Sequence, residues 1–191
     1  MVLGDNIFYG GGLSGFLQMA VENAESGNAT IFGYYVNDPE RFGIMGFDER
    51  WNILSVEEKT KKPKSNYCIT GLYFYPKGVA EKARKVKPSD RGELEITTLN
   101  DMYLKDKRLK AQILGRGFAW LDTGTMDSLV DATTFVQITE KRQGVKISAP
   151  EEIAFRKGWI SKEELLASAK LYGKSPYGEH LKNVANGTMR Y

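Results

Sequence analysis

The 191-residue sequence predicts an α/β protein: a mixed, mainly parallel β-sheet followed by a helical tail. Apolar residues recur at helical spacing over 13–24, and the apolar run that follows at 29–36 is rich in β-branched and aromatic residues. A strand at residues 2–3, this helix and this strand together indicate a βαβ-like unit, which is typical of a parallel sheet. From residue 150 onward, by contrast, every segment has helical periodicity.

The elements that follow this βαβ-like unit are predicted from short apolar runs and from the turn residues between them. Residues 42–47 and 51–56 flank a polar triplet, which predicts a hairpin. The run YCITGLYFY at 67–75 is the most strand-like segment of the chain. The same criteria predict helices over 79–86 and 93–105, strands over 109–114 and 118–121, and a long helix over 125–142.

The composition changes near Gly144, which predicts two parts. Residues 1–143 form the mixed α/β part, and residues 144–191 form the helical tail. Within the tail, helices are expected over 151–157, 161–172 and 176–186, each followed by a glycine.

The composition excludes several classes of protein. Lys and Arg number 27 and Asp and Glu 24, and the resulting net charge of +3 is too small to indicate a nucleic acid or a membrane surface as partner. No apolar run approaches the roughly 18 residues of a membrane helix, so a soluble, cytoplasmic protein is expected. The one cysteine, Cys68, is expected to be buried and the one histidine, His180, to lie at the surface, which argues against disulfide and most histidine chemistry.

A glycine-rich motif at residues 10–15 (GGGLSG) has the spacing of a dinucleotide-binding turn, and Asp38 follows the next strand. In that turn the glycines come directly after a strand, so that the helix N-terminus meets the pyrophosphate. Here residues 4–9 separate the predicted strand from the glycines. A flexible surface turn is therefore the favoured interpretation, and a dinucleotide-binding oxidoreductase is the alternative.

Asp5 and Asp122 each follow a short apolar strand and precede turn residues. Ligands of open α/β sheets bind at the carboxyl ends of strands, and Mg²⁺ in proteins commonly takes one or two carboxylates. The pair is therefore a candidate metal site. Both residues could equally serve as turn or helix caps, and the residues alone leave this open.

Three charged residues are candidates for binding a sugar phosphate. Lys59 could place a positive charge on the phosphate, Glu58 could accept hydrogen bonds from sugar hydroxyls, and Arg91 could clamp a phosphate. The alternative is that all three are solvated surface charges, since the loop after Lys59 is rich in lysine.

Seven ordered blocks, and an eighth in the tail, closely resemble the glucose-1-phosphate thymidylyltransferases, the dTDP-glucose pyrophosphorylases of the sugar-nucleotide pyrophosphorylase family. The resemblance covers essentially the whole chain. The blocks are LGDN at 3–6, NDPERFG at 37–43, EEK at 57–59, PKSNY at 63–67, TGLYFY at 70–75, RGELEIT at 91–97, WLDTGT at 120–125 and PEEIAFR at 150–156.

The resemblance implies a nucleotide-diphospho-sugar transferase fold of the Rossmann-like type and a Mg²⁺-dependent reaction. In that reaction dTTP and glucose 1-phosphate give dTDP-glucose and pyrophosphate, the first step toward dTDP-sugars such as dTDP-rhamnose. The resemblance assigns the metal to Asp5 and Asp122 and the sugar phosphate to Lys59. It implies that Arg91 contacts a substrate phosphate or supports the loop that binds it. It assigns the sugar pocket to Gly43, Glu58, Lys59, Thr70 and Gly71.

The resemblance also implies a role for the tail. In the family, these helices help to build a homo-oligomer, a tetramer, and a regulatory site for the dTDP-sugar end product. Arg116 and Arg156 are the candidate effector contacts in this sequence.

The sequence departs from the family pattern at its beginning. It starts at the block that carries the metal aspartate, so the glycine-rich nucleotide loop (GGxGTRL) is absent and the fold is expected to be N-terminally truncated. We therefore expect the 191-residue chain alone to be inactive. A pyrophosphorylase that uses another nucleotide stays open, as does a non-catalytic module that binds sugar phosphate or dTDP-sugar or assembles with other subunits.

Overall fold

The secondary structure of the computed structural model, which describes residues 1–189, follows the predicted order closely. The elements are β1 Asn6–Gly10, α1 Leu13–Glu25, β2 Ala29–Tyr35, β3 Gly43–Phe47, β4 Ile53–Glu58, β5 Tyr67–Phe74, α2 Val79–Ala83, α3 Ile96–Lys105, β6 Leu109–Leu114, β7 Phe118–Asp122, α4 Met126–Gln143, α5 Pro150–Arg156, α6 Lys162–Leu171 and α7 Pro176–Ala185.

The strands form a five-stranded sheet in the order β4-β3-β5-β2-β6 and a two-stranded sheet of β1 and β7. The α/β class is confirmed, but the expected mainly parallel arrangement does not hold. Among the strand pairs of residues 1–189, β2–β6 is parallel and the others are antiparallel. The reason is that the β3–β4 hairpin and β5 reverse the chain, while β1 pairs with β7 instead of beginning a βαβ unit with β2.

Strand β2 is buried on both of its faces. Ile31 packs in a cluster with Leu99 and Tyr103 of α3, whereas the next residue, Phe32, packs with Ala20 of α1. Because successive side chains of a strand alternate, α1 and α3 cover opposite faces of the large sheet. This three-layer arrangement explains the continuous apolar run of β2.

The first residues of the chain contact the middle of β5, but they form an isolated bridge there and not the strand predicted at 2–3. Val2 forms a bridge with Leu72, and the Leu3 amide donates to the Gly71 carbonyl at 2.8 Å. Cys68 of β5 is fully buried, as predicted, and burial raises the pKa of its thiol to about 12. The chain start and β5 thereby come together next to β1.

The described chain divides into two compact units, the first from Met1 to Ser128 and the second from Leu129 onward. Most of α4 lies in the second unit, whereas the sequence places this helix in the first part. The division into residues 1–143 and 144–191 as functional parts stays a prediction, and residues 190 and 191 of that tail lie outside the described structure. None of the helices within residues 1–189 has the length and apolarity to cross a membrane.

The helices α5, α6 and α7 of the second unit enclose their own small core, which includes Leu165 and Leu181. The prediction that His180 lies at the surface is wrong: its side chain is 4% exposed, and its Nε2 lies 2.6 Å from a Glu152 carboxylate oxygen. The polar composition of α7 suggested a surface residue. The helix is amphipathic, however, and the Glu152 carboxylate makes burial of an imidazole tolerable.

Candidate active site

A cavity of about 530 Å³ opens in the first unit, where the last residue of β4, the first residue of β3 and the middle of β5 meet the small sheet. Its walls contain five of the ten predicted site residues. The walls include Asn6, Gly43, Glu58, Lys59, Gly71 and Asp122, together with the apolar side chains Phe42, Ile69, Ile96 and Trp120. The cavity therefore combines apolar walls with a few polar groups, as ligand pockets do.

Glu58 and Lys59 are consecutive residues, yet both line this cavity. In a regular strand their side chains would point to opposite faces of the sheet. Lys59 instead has a left-handed backbone with φ of 40°, while its amide still donates to the Phe42 carbonyl at 3.0 Å. This conformation is strained for a residue with a side chain, and it interrupts the alternation at the point where two adjacent charges share one pocket.

The carboxylate of Glu58 is fixed by its neighbours. Gly43 lies directly opposite Glu58 in the β3–β4 ladder, and a Cβ at Gly43 would lie only 3.1 Å from Glu58 Oε2. The hydroxyl of the buried Thr97 donates a hydrogen bond to the same oxygen. The family resemblance assigns Gly43 and Glu58 to one sugar pocket, and the structure pairs them directly; the sequence analysis gives Thr97 no role.

Asn6 connects three segments of the site. Its Oδ1 accepts hydrogen bonds from the Gly71 amide at 2.9 Å and from Trp120 Nε1 at 2.6 Å, and its Nδ2 donates to Asp5 Oδ1 at 2.9 Å. A Cβ at Gly71 would lie 2.6 Å from Asn6 Oδ1, so this approach requires glycine. The sequence assigns no role to Asn6. The only local feature that indicates a role for Asn6 is its position directly after Asp5, the candidate metal ligand.

Asp5 and Asp122 occupy neighbouring positions at one end of the small sheet: Asp5 directly precedes β1, and Asp122 is the last residue of β7. Asn6 is paired with Asp122 in the β1–β7 ladder, and the Asp5 carbonyl accepts the Thr123 amide at 2.9 Å. Asp122 lines the cavity, while the Asp5 carboxylate contacts Asn6, which also lines it. Two carboxylates on adjacent strands are a hard-oxygen donor set that fits Mg²⁺. Residues 1–189 contain no cluster of three or more acidic, histidine or cysteine ligands, so waters and substrate phosphates would complete the coordination.

Tyr73 of β5 also lines the cavity. The residue is 3% exposed, and burial, followed by the negative charge of Glu58, raises the pKa of its phenol. The hydroxyl therefore stays protonated at neutral pH.

Two predicted substrate-binding residues, besides the metal candidate Asp5, are absent from the described walls of this cavity. Thr70 is fully buried and follows Ile69, so alternation along β5 puts it on the face opposite to Ile69 and Gly71. Arg91 lies on the loop before α3, where it forms ion pairs with Glu93 at 2.8 Å and Glu95 at 3.5 Å. The structure thus separates these two from the wall residues.

The remaining candidates lie elsewhere. Arg116 is exposed on the turn between β6 and β7 in the first unit, and Arg156 of α5 in the second unit donates to Glu152 at 2.7 Å. The glycine motif at 10–15 connects β1 to α1, and its glycines are absent from the described walls of the cavity. The expected separation of the motif from its strand is wrong: the preceding strand is β1, which ends at Gly10, because β1 lies later in the chain than the sequence predicts.

Comparisons with known proteins show which family the chain belongs to. The model of the nucleotidyl transferase family matches residues 1–139. A glucose-1-phosphate thymidylyltransferase of Neisseria gonorrhoeae is 52% identical over 184 residues, which are 96% of this chain and 63% of that protein. One of Mycobacterium tuberculosis is 51% identical over 181 residues, which cover 95% of this chain and 62% of that protein. The chain thus spans somewhat less than two thirds of these relatives.

Two solved structures are similar to the chain. One is a Bacillus anthracis crystal structure described as a glucose-1-phosphate thymidylyltransferase in complex with a sucrose. It has a TM-score of 0.61 and 38% identity, and the match covers 70% of this chain and 52% of that one. A UDP-glucose pyrophosphorylase complexed with UDP-glucose has a TM-score of 0.62 at 18% identity, with 72% of this chain and 55% of that chain covered. At that low identity, the second similarity concerns the fold alone.

Proposed function

Because this chain belongs to the nucleotidyl transferase family, we propose that it carries the sugar-phosphate and metal part of a glucose-1-phosphate thymidylyltransferase. The whole enzyme would form dTDP-glucose and pyrophosphate from dTTP and glucose 1-phosphate. The observation that carries the proposal is the convergence of Glu58, Lys59, Gly43 and Asp122 on one cavity. Two relatives that share about half of their aligned residues with this chain are named glucose-1-phosphate thymidylyltransferases, and these names support the same substrates.

The reaction needs positioning and charge neutralisation more than a covalent catalyst. An oxygen of the glucose 1-phosphate attacks the α-phosphorus of dTTP in line, the bond from that phosphorus to the bridging oxygen breaks, and pyrophosphate leaves. Lys59 holds the attacking phosphate by its ammonium group. Glu58 accepts a hydrogen bond from a sugar hydroxyl, and the absence of a side chain at Gly43 lets the sugar approach the β3–β4 ladder.

We assign a Mg²⁺ ion to Asp5 and Asp122. When bound, the ion supplies positive charge that offsets the negative charge developing on the phosphates. The role of Asn6 toward this ion is to hold the Asp5 carboxylate through its Nδ2. Trp120 and Gly71, bonded to the other side of the Asn6 amide, keep that amide in one orientation.

The outlying candidates have more remote roles in this proposal. Arg91, ion-paired with Glu93 and Glu95, supports the loop ahead of α3 instead of contacting a phosphate directly. Effector binding at Arg116 and Arg156, assembly into a homo-oligomer and a cytoplasmic location rest on the family resemblance.

Binding of glucose 1-phosphate to the 191-residue chain, measured by isothermal titration calorimetry, tests the proposal. We expect Lys59→Ala to weaken binding about tenfold or more, because a hydrogen bond to a charged group contributes about 1.5–3 kcal/mol. Lys61→Ala removes the same charge from the neighbouring exposed loop and is the matched control, with affinity unchanged within about twofold. Equal affinity of both variants, or no binding by the unmodified chain, would contradict the proposal.

A further inference from the structure

Thr97 has an unusual environment for a helix residue. It is the second residue of α3, it is 4% exposed, and its hydroxyl reaches across to the last residue of β4, where it donates to Glu58 Oε2. Threonine in a helix commonly bonds to a backbone carbonyl of the preceding turn. Here the hydroxyl bonds to a side chain of the candidate active site instead.

The two oxygens of Glu58 have different surroundings. Oε2 faces both the Thr97 hydroxyl and the Cα of Gly43. Within residues 1–189, Glu58 forms no ion pair, and Thr97 is the one side chain with a hydrogen bond to its carboxylate. Since an ionised carboxylate only accepts hydrogen bonds and can accept on both oxygens, Oε1 keeps its accepting capacity for a ligand in the cavity.

We propose that Thr97 is a positioning residue for sugar recognition: by holding Glu58 Oε2, it directs Oε1 toward one hydroxyl of the sugar phosphate. The proposal rests on the proposed function and explains how the site would discriminate between sugars. A site built to hydrogen-bond a substrate hydroxyl discriminates strongly against an analogue that lacks it, because the site's own polar group is then left unpaired. That discrimination requires the carboxylate to stay in one rotamer, which the Thr97 hydroxyl and the space at Gly43 provide.

The affinity for glucose 1-phosphate and for its 2-, 3-, 4- and 6-deoxy analogues, measured by calorimetry, tests this role. For the unmodified chain we expect one analogue to bind at least about tenfold more weakly than the parent compound, which identifies the hydroxyl that Glu58 accepts. In Thr97→Val, which keeps the volume but removes the donor, this penalty falls below about threefold. Thr97→Ser keeps the donor and retains the penalty.

The outcomes separate this role from a purely structural one. A structural role would weaken the binding of all five ligands by a similar factor, so an unchanged deoxy profile in Thr97→Val overturns the proposal. Thr97→Ala removes the same donor and is judged by the same criterion if the valine variant does not fold, as monitored by circular dichroism. Absence of glucose 1-phosphate binding by the unmodified chain would instead overturn the proposed function itself, and the role of Thr97 with it.

Discussion

Each unit of this protein contains a cavity, and the two are nearly equal in volume but differ in how their charges are paired. The first, of about 530 Å³, presents Lys59 and Asp122, neither of which forms an ion pair within residues 1–189. The second, of about 490 Å³, is lined by residues of α4, α7 and the segments next to them. Its charged walls are already paired: Lys146 with Glu140, Glu179 with Lys182, and His180 with Glu152.

Cavity volume therefore says little about function in this protein, whereas charge pairing says more. An ionised group without a protein partner gains most from a ligand of opposite charge, while a paired group has to lose its partner first. On this basis we propose that the first cavity is the binding site and that the paired charges of the second belong to the structure of the helical unit. The predictions below test this difference, beginning with the largest effect.

Glu152 is the charged residue whose removal has the largest expected effect on the second unit. It is 5% exposed and bonds to both His180 and Arg156. Glu152→Ala leaves His180 buried without its partner, so we expect the free energy of unfolding to fall by about 3 kcal/mol in urea denaturation. The exposed Glu163 of α6 is the matched control, and Glu163→Ala should change stability by less than about 0.5 kcal/mol. A loss of glucose 1-phosphate binding by folded Glu152→Ala would contradict this difference between the cavities, because ligand binding would then depend on a charge of the second unit.

The first cavity should instead lose affinity for a divalent cation when the charge of Asp122 is removed. Asp122→Asn keeps the shape of the side chain but removes the charge, and we expect Mn²⁺, used as a paramagnetic substitute for Mg²⁺, to bind about tenfold more weakly. Electron paramagnetic resonance of free Mn²⁺ measures this directly. Asp90→Asn removes the same charge from an exposed loop of the first unit and should leave Mn²⁺ binding unchanged. Equal affinities in the two variants would remove Asp122 from the metal site.

The smallest effect concerns the backbone of Lys59. Its φ of 40° is costly for any residue with a Cβ and is readily adopted by glycine. We therefore expect Lys59→Gly to be more stable than Lys59→Ala by about 1 kcal/mol in urea denaturation, although both variants lose the ammonium group. Glycine and alanine variants of Lys61 in the adjoining loop provide the control pair. Equal stability of the two Lys59 variants would indicate that the left-handed conformation is not maintained in solution.

The residues of the candidate site show which features sequence-based prediction locates and which it does not. The residue types of Glu58, Lys59 and Asp122 indicate their chemistry, and the family resemblance adds Gly43 and Gly71; all five line the cavity. Thr70 adjoins Gly71 in its motif, but strand alternation turns it away from the wall. Motifs identify segments that approach a site, whereas the direction of each side chain depends on the register of the strand.

The residues that the sequence misses are those that act through contacts distant in the chain. Asn6 bonds to Gly71 and Trp120, and Thr97 bonds to Glu58. Each has an ordinary residue type for its position, so no local pattern distinguishes it. Only the pairing of β1 with β7 and the packing of α3 against the end of β4 bring these partners within hydrogen-bonding distance.

The sequence by itself determined the positions of most helices and strands, with β1 as an exception, because periodic apolar residues identify the face of each element that has to be buried. Helix α1, predicted over 13–24 and found over Leu13–Glu25, is an example. The tertiary structure decided which strands pair and in which direction, the burial of His180 against Glu152, and the contacts of Asn6 and Thr97. Local periodicity carries no information on these points, because strand pairing and hydrogen bonding between distant segments depend on the competition among all the surfaces that the chain has to bury.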